Sequence, residues 1–252
     1  MKTVSILGCG WLGKPLAASL LKKGYVVKGS TTSEEKLEAL GEVGIIPFLI
    51  DISQESEIGE FLASEILIVA ITSKDYESFN RLISQIRQST IKQVIFISST
   101  SVYENLNKVI KEEEATSNSP LIDIENLFRK ESDFGATIIR FAGLLGGNRH
   151  PGNWFKGRKI GQPNGFVNMI HREDCIGVIQ EIINQECWNE TLNACSNHHP
   201  TRREFYTNAK LKLGLEVPEF IEEAILSYKI ISSEKLQKKL NYVFQYDDLL
   251  AI

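Results

Sequence analysis

The stretch SILGCGWLGKPLAASLLKKGYVVKGS, Ser5 to Ser30, decides how the rest of the chain is read. It opens in an apolar, β-rich run and breaks at Gly8, Gly10 and Gly13. It continues from Leu12 to Lys23 with apolar residues at helical spacing and returns at Tyr25 to a second β-rich run. Glycines spaced G-x-G-x-x-G between a strand and a helix meet three demands: a tight turn, close backbone approach to a pyrophosphate, and close helix packing. The free N–H groups of a helix start complete an anion site. The loop therefore predicts dinucleotide binding; its plainer reading is a tight strand-to-helix turn with no ligand.

Outward from this unit the alternation repeats. The runs TVSIL, YVVKGS, IIPFLI, ILIVAI, QVIFIS and ATIIRF read as six strands. Between them lie helical stretches at Leu12 to Lys23, Ser33 to Leu40, a short polar helix after IIPFLI, Tyr76 to Gln88 and Leu121 to Glu131. Nearly continuous apolar strands are what a sheet covered on both faces requires. The pattern predicts an α/β fold with a Rossmann-type, doubly wound parallel sheet. From Gly143 the rhythm changes to GLLGGNRHPGNWFKGRKIGQPNG, then FVNMI, a helix from Cys175 to Asn184, TLNAC and two more helical segments. Residues 1–145 are thus expected to form the dinucleotide-binding domain, and residues 146–252 a smaller substrate lobe.

The 252 residues are 42% hydrophobic and 24% charged, which suffices for a sizeable core. A net charge of −4 argues against nucleic acid as a partner, because phosphate binding needs cations in excess. No apolar run approaches the roughly 20 residues that span a bilayer, and the segment after Met1-Lys2 is broken by glycines rather than ending in a cleavage site. The expected location is the cytoplasm, without a membrane partner. Cys9, Cys175, Cys187 and Cys195 form no C-x-x-C pair, so neither a zinc knuckle nor a disulfide scaffold is suggested, and no metal is expected. Small molecules are the default partners; monomer and homodimer both stay open.

The end of the second strand selects the cofactor. A carboxylate there would read a ribose, but the residues are Lys28, Gly29, Ser30, Thr31, Thr32 and Ser33. Hydroxyls near a cation suit a 2′-phosphate, so NADP is expected, with NAD as the alternative through Glu34 or Glu35. Thr32-x-x-Glu35 also reads as a capping box. Asp51, after the third strand, is placed to touch an adenine or simply to cap the next turn. Trp11 and Leu12 in the glycine loop, Ile71 and Thr72 after the fourth strand, and Ser98 on the fifth complete the expected cofactor contacts.

Four motifs, GCGWLG, ISSTSVY, IIRFAGLLGGNR and VNMIHREDCIGVI, stand in the order and spacing that resemble the extended and atypical short-chain dehydrogenase/reductases, the NAD(P)-dependent epimerase/dehydratase group. The resemblance covers essentially the whole chain, with a shorter carboxyl lobe than most extended members. It implies a serine or threonine at the end of the fifth strand, matched by Ser99 or Thr100, then Tyr-x-x-x-Lys on the next helix for proton transfer. Here the chain departs: no tyrosine lies between Glu104 and Gly135. With Glu125 matched to the acid that commonly follows the pair, Ser117 and Leu121 fall where tyrosine and lysine belong. Tyr206-x-x-x-Lys210 lies beyond the sixth strand and reads as two neighbours on a helix surface. Tyr103 directly follows the hydroxyls at the carboxyl end of a strand, where doubly wound sheets bind ligands. The resemblance implies pocket lining for it, and it is the one phenol beside the hydroxyl cluster for acid–base work. Tyr103, Ser99 and Thr100 are the candidate catalytic groups.

In the small lobe, Arg149, His150, Lys156, Arg158 and Lys159 surround Trp154 and Phe155. They would receive an anionic substrate, or form a solvated loop whose aromatics plug the lobe. His171 reads as structural, Asp174 as the cap of the following helix, and His198 and His199 as preceding a Thr201-to-Glu204 helix start. Two functions follow: NADP-dependent hydride transfer on a small polar or anionic substrate, or a cofactor-binding sensor that has lost catalysis.

Overall fold

The computed structural model describes residues 2–252. In chain order its strands are β1 (Thr3–Leu7), β2 (Val26–Thr31), β3 (Ile46–Leu49), β4 (Ile66–Val69), β5 (Gln93–Ser99), β6 (Val109–Ile110), β7 (Gly135–Phe141), β8 (Gly143–Leu145), β9 (Met169–His171), β10 (Thr191–Ala194) and β11 (Ile230–Ile231). The α-helices are α1 (Gly13–Lys22), α2 (Leu37–Gly41), α3 (Tyr76–Arg87), α4 (Pro120–Arg129), α5 (Arg172–Asn184), α6 (Arg202–Lys212) and α7 (Glu234–Leu240).

Seven strands form one sheet in the order β10-β7-β5-β4-β1-β2-β3, with β6/β11 and β8/β9 as separate two-stranded ladders. The ladders from β3 to β5 are parallel, and Val4 of β1 stands opposite both Val27 of β2 and Ile66 of β4. All four residues of β4, Ile66 to Val69, are buried, as its apolar run requires. Because β4 returns to lie beside β1 after β2 and β3 have built outward, the strand order reverses between β1 and β4. That reversal opens a crevice at the carboxyl ends of those two strands.

The expected doubly wound sheet is present, with one strand more than the sequence suggested. TLNAC, assigned to the small lobe, is the edge strand β10. The predicted short helix after β3 is a run of turns, held instead by side chains of α3: Gln85 accepts from the Ile58 N–H at 3.1 Å and donates to the Ser56 carbonyl. The Thr32–Glu35 capping box does not form; Ser33 precedes a three-residue 3₁₀ turn with no side-chain cap.

The chain resolves into two compact units. One comprises Met1–Ser98, Asn118–Ile139 and Ile179–Thr191; the other comprises Ser99–Ser117, Arg140–Val178 and Leu192–Ile252. The sequence reading drew a single boundary after residue 145, whereas the units interleave, with divisions falling inside β5, β7, α5 and β10. In the first unit, Phe96 stacks on Phe128 with ring centres 4.8 Å apart, and Phe79 meets both edge-on. These rings join α3, α4 and β5 in one apolar core. The second unit has its own core of Leu145, Ile160, Val167, Phe205, Tyr206 and Leu249. No helix among the described residues is long and apolar enough to cross a membrane.

Candidate functional site

In the first unit the three loop glycines do different work. A Cβ at Gly13 would lie 2.1 Å from the Gly8 carbonyl oxygen. One at Gly8, whose φ is +100°, would lie 2.7 Å from Ile71 Cγ2 and 2.9 Å from the Ala70 carbonyl. Both positions are glycine because the loop, α1 and the end of β4 touch there. A Cβ at Gly10 would meet nothing within 4 Å. Packing gives no reason for glycine at that position, so the space it leaves is room for a ligand to reach the backbone. No side chain caps α1 and no acid stands in its first turn, which leaves the helix start to an external anion. Trp11 is part-buried and Leu12 buried in this loop. The residues fit the pyrophosphate of a dinucleotide.

The loop is held by its neighbour strand. Ser30 is buried, its Oγ accepts the Gly8 N–H at 2.9 Å, and its carbonyl accepts the Cys9 N–H at 2.7 Å. The Ser30 hydroxyl thus braces the glycine turn, a duty beyond the 2′-phosphate contact expected of it from the sequence. Lys28, taken as the nearby cation, instead donates to the Glu60 and Ala63 carbonyls and lies over the Phe48 ring. Thr31 Oγ1 accepts the Ser33 N–H, leaving Thr32 as the exposed hydroxyl of the run. Asp51 takes the plainer of its two readings: its carboxylate accepts from the N–H and Oγ of Ser53, which hold it below the usual carboxylate range. Ile71 lies against Gly8, and Thr72 beside it is exposed. Ser98 donates its hydroxyl to Glu125, a buried carboxylate that also pairs with Arg129. Cys9, next to the loop, is sealed, and burial pushes its thiol up to about 12, so it is no nucleophile.

The second unit begins at the hydroxyl cluster. Ser99 is part-buried and its Oγ accepts the Ser101 N–H, which turns the chain at the end of β5. Thr100 is buried. Tyr103 is 3% exposed, and its hydroxyl donates to Asn193 Oδ1 at 2.9 Å and accepts from Arg140, whose guanidinium also lies 4.9 Å from the ring centre. Burial pushes the phenol up, against the pull of Arg140 and the hydrogen bonds. Both of its partners are themselves buried. The sequence reading missed Arg140, Asn193, Glu112 and Lys229. Asn193 gives its N–H to Glu112 at 2.8 Å, and Lys229 Nζ donates to the Tyr103 carbonyl. Nothing in the sequence ties together residues separated by up to 126 positions.

At the positions matched to the absent pair, Ser117 bonds the Val102 carbonyl through both N–H and Oγ, and Leu121 packs on the first unit's core. Neither carries an acid–base group. Tyr206, in α6, is buried against Trp154 and Phe155. Those aromatics plug the lobe, while Lys156, Arg158 and Lys159 are exposed and Lys159 pairs with Glu219. His171 is structural, stacked on Tyr246 at 3.7 Å. Asp174 is not a cap. It is buried and holds the C-terminal segment through the Tyr242 hydroxyl and the N–H groups of Gln245 and Tyr246. The Thr201–Glu204 capping box forms as expected.

Comparison with known proteins agrees with this construction. Residues 3–124 match the family described as the NAD binding domain of 6-phosphogluconate dehydrogenase. Protein YeeZ of Escherichia coli K12 is 30% identical over 100% of this chain and 99% of its own length. A short-chain dehydrogenase/reductase superfamily protein from Agrobacterium tumefaciens with bound NAD superposes with a TM-score of 0.80 at 15% identity, covering 99% of this chain and 95% of that one. The UDP-glucuronic acid 4-epimerase of Bacillus cereus in complex with NAD gives 0.79 at 15% identity, covering 99% and 96%. At such identities the two structures speak for the fold alone, a Rossmann-type parallel sheet with flanking helices, and YeeZ speaks for the family. The chain belongs to the family of YeeZ.

Proposed function

We propose that this protein binds NADP in preference to NAD and is an oxidoreductase or epimerase acting on a small polar or anionic substrate by reversible hydride transfer. The observation that carries the reading is the open space at Gly10, between two glycines that packing alone requires. The A. tumefaciens and B. cereus structures hold NAD, which supports a nicotinamide cofactor here. The absence of a carboxylate at Ser30–Ser33 and the exposed hydroxyl of Thr32 support the phosphorylated form.

When bound, the cofactor supplies or accepts the hydride. The amides of Gly10 to Gly13 would hold its pyrophosphate, and Ser30 keeps that turn in shape through Gly8. Ser99 is the hydroxyl proposed to hold a substrate oxygen, because its Oγ accepts locally and keeps its own proton to donate. Tyr103 is the weaker proton donor. Its proton is committed to Asn193 and burial raises its pKa, so at neutral pH it serves to fix the segment that carries Ser99. Paired titrations with NADPH and NADH at one salt concentration test the cofactor reading: tighter NADPH binding is expected, and preference for NADH would return the ribose to Glu34 or Glu35. Nicotinamide absorbance over a panel of carbonyls, alcohols and sugar nucleotides tests the reaction.

The second reading, a cofactor-binding sensor without catalysis, is favoured by Ser117 and Leu121 standing where acid–base groups belong. Its positive test is a protein partner whose affinity depends on whether the bound cofactor is oxidised or reduced, since a ligand shifts such an equilibrium only through differential affinity.

A further inference from the structure

Tyr103 is held at both ends. Its hydroxyl donates to Asn193, and its carbonyl accepts from Lys229. Each of these neighbours keeps a donor in reserve. Lys229 is part-buried, engages one of the three donors of an ammonium, and forms no ion pair with any carboxylate among the described residues. Its backbone is fixed in place: Asn168 Nδ2 donates to the Lys229 carbonyl at 2.9 Å, and Asn168 Oδ1 accepts the Ile231 N–H at 2.8 Å, at the β6/β11 ladder. Asn193 is fully buried, uses its Oδ1 and its backbone N–H, and its Nδ2 has no partner.

Both features cost free energy unless something answers them. An ammonium drawn out of water without a counter-ion is unfavourable, and a sealed amide donor without an acceptor forfeits a hydrogen bond. The basic loop around Lys156 and Arg158 is exposed, so its charges stand in water and need no such answer. Burial alone pushes the Lys229 amine down, with no carboxylate to oppose it. We propose that the Lys229 ammonium forms an oxyanion subsite beside Tyr103 that accepts a carboxylate or phosphate group of a small-molecule ligand. This names the charge of the substrate in the function proposed above and rests on that reading. Its test needs no nucleotide, so failure here leaves dinucleotide binding untouched, and loss of dinucleotide binding leaves this site standing.

The experiment is peptide-resolved acetylation of the intact protein with an N-hydroxysuccinimide ester, at fixed pH and ionic strength, while inorganic phosphate or acetate is raised. Acetylation at Lys229 should slow by roughly fivefold once the anion reaches about four times its Kd, saturating as a single site. The exposed Lys156 should keep its rate. Saturation by phosphate alone assigns the ligand group as phosphate, and saturation by acetate as well assigns a general oxyanion site. No slowing at Lys229, equal slowing at both lysines, or slowing at Lys156 instead would overturn the proposal. A second measurement uses Lys229→Met: the wild type should gain melting temperature with phosphate and the variant should not. If that variant fails to fold, the labelling of the wild type decides alone.

Discussion

Substitutions at Gly10 and Gly13 separate the two duties of the glycine loop. A side chain at Gly13 starts 2.1 Å from the Gly8 oxygen and 3.0 Å from its carbon, so Gly13→Ala must push α1 away from the loop. Overpacking of this kind costs about 1–3 kcal/mol, which at about 2–4 °C per kcal/mol for a chain of this size lowers the melting temperature by several degrees. A Cβ at Gly10 meets no atom within 4 Å, so the stability of Gly10→Val should change by no more than about 0.5 kcal/mol, as at an ordinary surface site. Binding should behave the opposite way. Valine methyls at Gly10 would stand between the pyrophosphate and the loop amides, and losing two charge-assisted bonds at about 1.5–3 kcal/mol each weakens Kd by at least roughly a hundredfold. Calorimetric titration with NADPH and NADH, beside thermal melts of both variants, reads the two effects separately. A folded Gly10→Val protein with wild-type affinity would refute the assignment of the loop as a phosphate cradle. A Gly10→Val protein that melts well below Gly13→Ala would refute the open space.

Ser30→Ala leaves the Gly8 N–H without its buried partner, so a loss of about 1–3 kcal/mol in stability is expected, and affinities for NADH and NADPH should fall together. Selective loss of NADPH would show that Ser30 reads the 2′-phosphate after all. Tyr103→Phe removes the proton that Asn193 Oδ1 accepts and the oxygen to which Arg140 donates, and should lower stability by a similar amount, about 1–3 kcal/mol, while turnover per folded molecule stays within a few-fold. A loss of roughly a hundredfold or more would restore Tyr103 as the proton-transfer group. Glu112 is held above the ordinary 4.5 of a glutamate, chiefly by burial. Between its unfolded and raised folded values the native state binds more protons than the unfolded state, so stability falls as pH rises through that window. Glu112→Gln keeps an oxygen for the Asn193 N–H and should flatten that fall in melts taken across the window; an unchanged slope would place the titration elsewhere.

What the sequence by itself determined is local and periodic. The glycine spacing, the apolar runs and the helical stretches act over a few residues, so the loop, six of the seven sheet strands and the long helices α1, α3 and α4 were legible within a residue or two. The capping box at Thr201 was legible for the same reason, because its bonds span three positions. TLNAC was recognised as apolar, but its place at the sheet edge depends on pairing with β7, some 50 residues earlier, and a four-residue run carries no record of its partner. Ser30 shows the same limit at the site. Its hydroxyl was correctly placed at the end of β2, yet only the β1–β2 register turns it toward Gly8 rather than solvent. The cluster around Tyr103 belongs wholly to tertiary structure. Arg140, Asn193, Glu112 and Lys229 come from β7, β10 and two stretches flanking β6 and β11. Side chains that remote meet because buried polar atoms must find partners wherever the folded backbone leaves them.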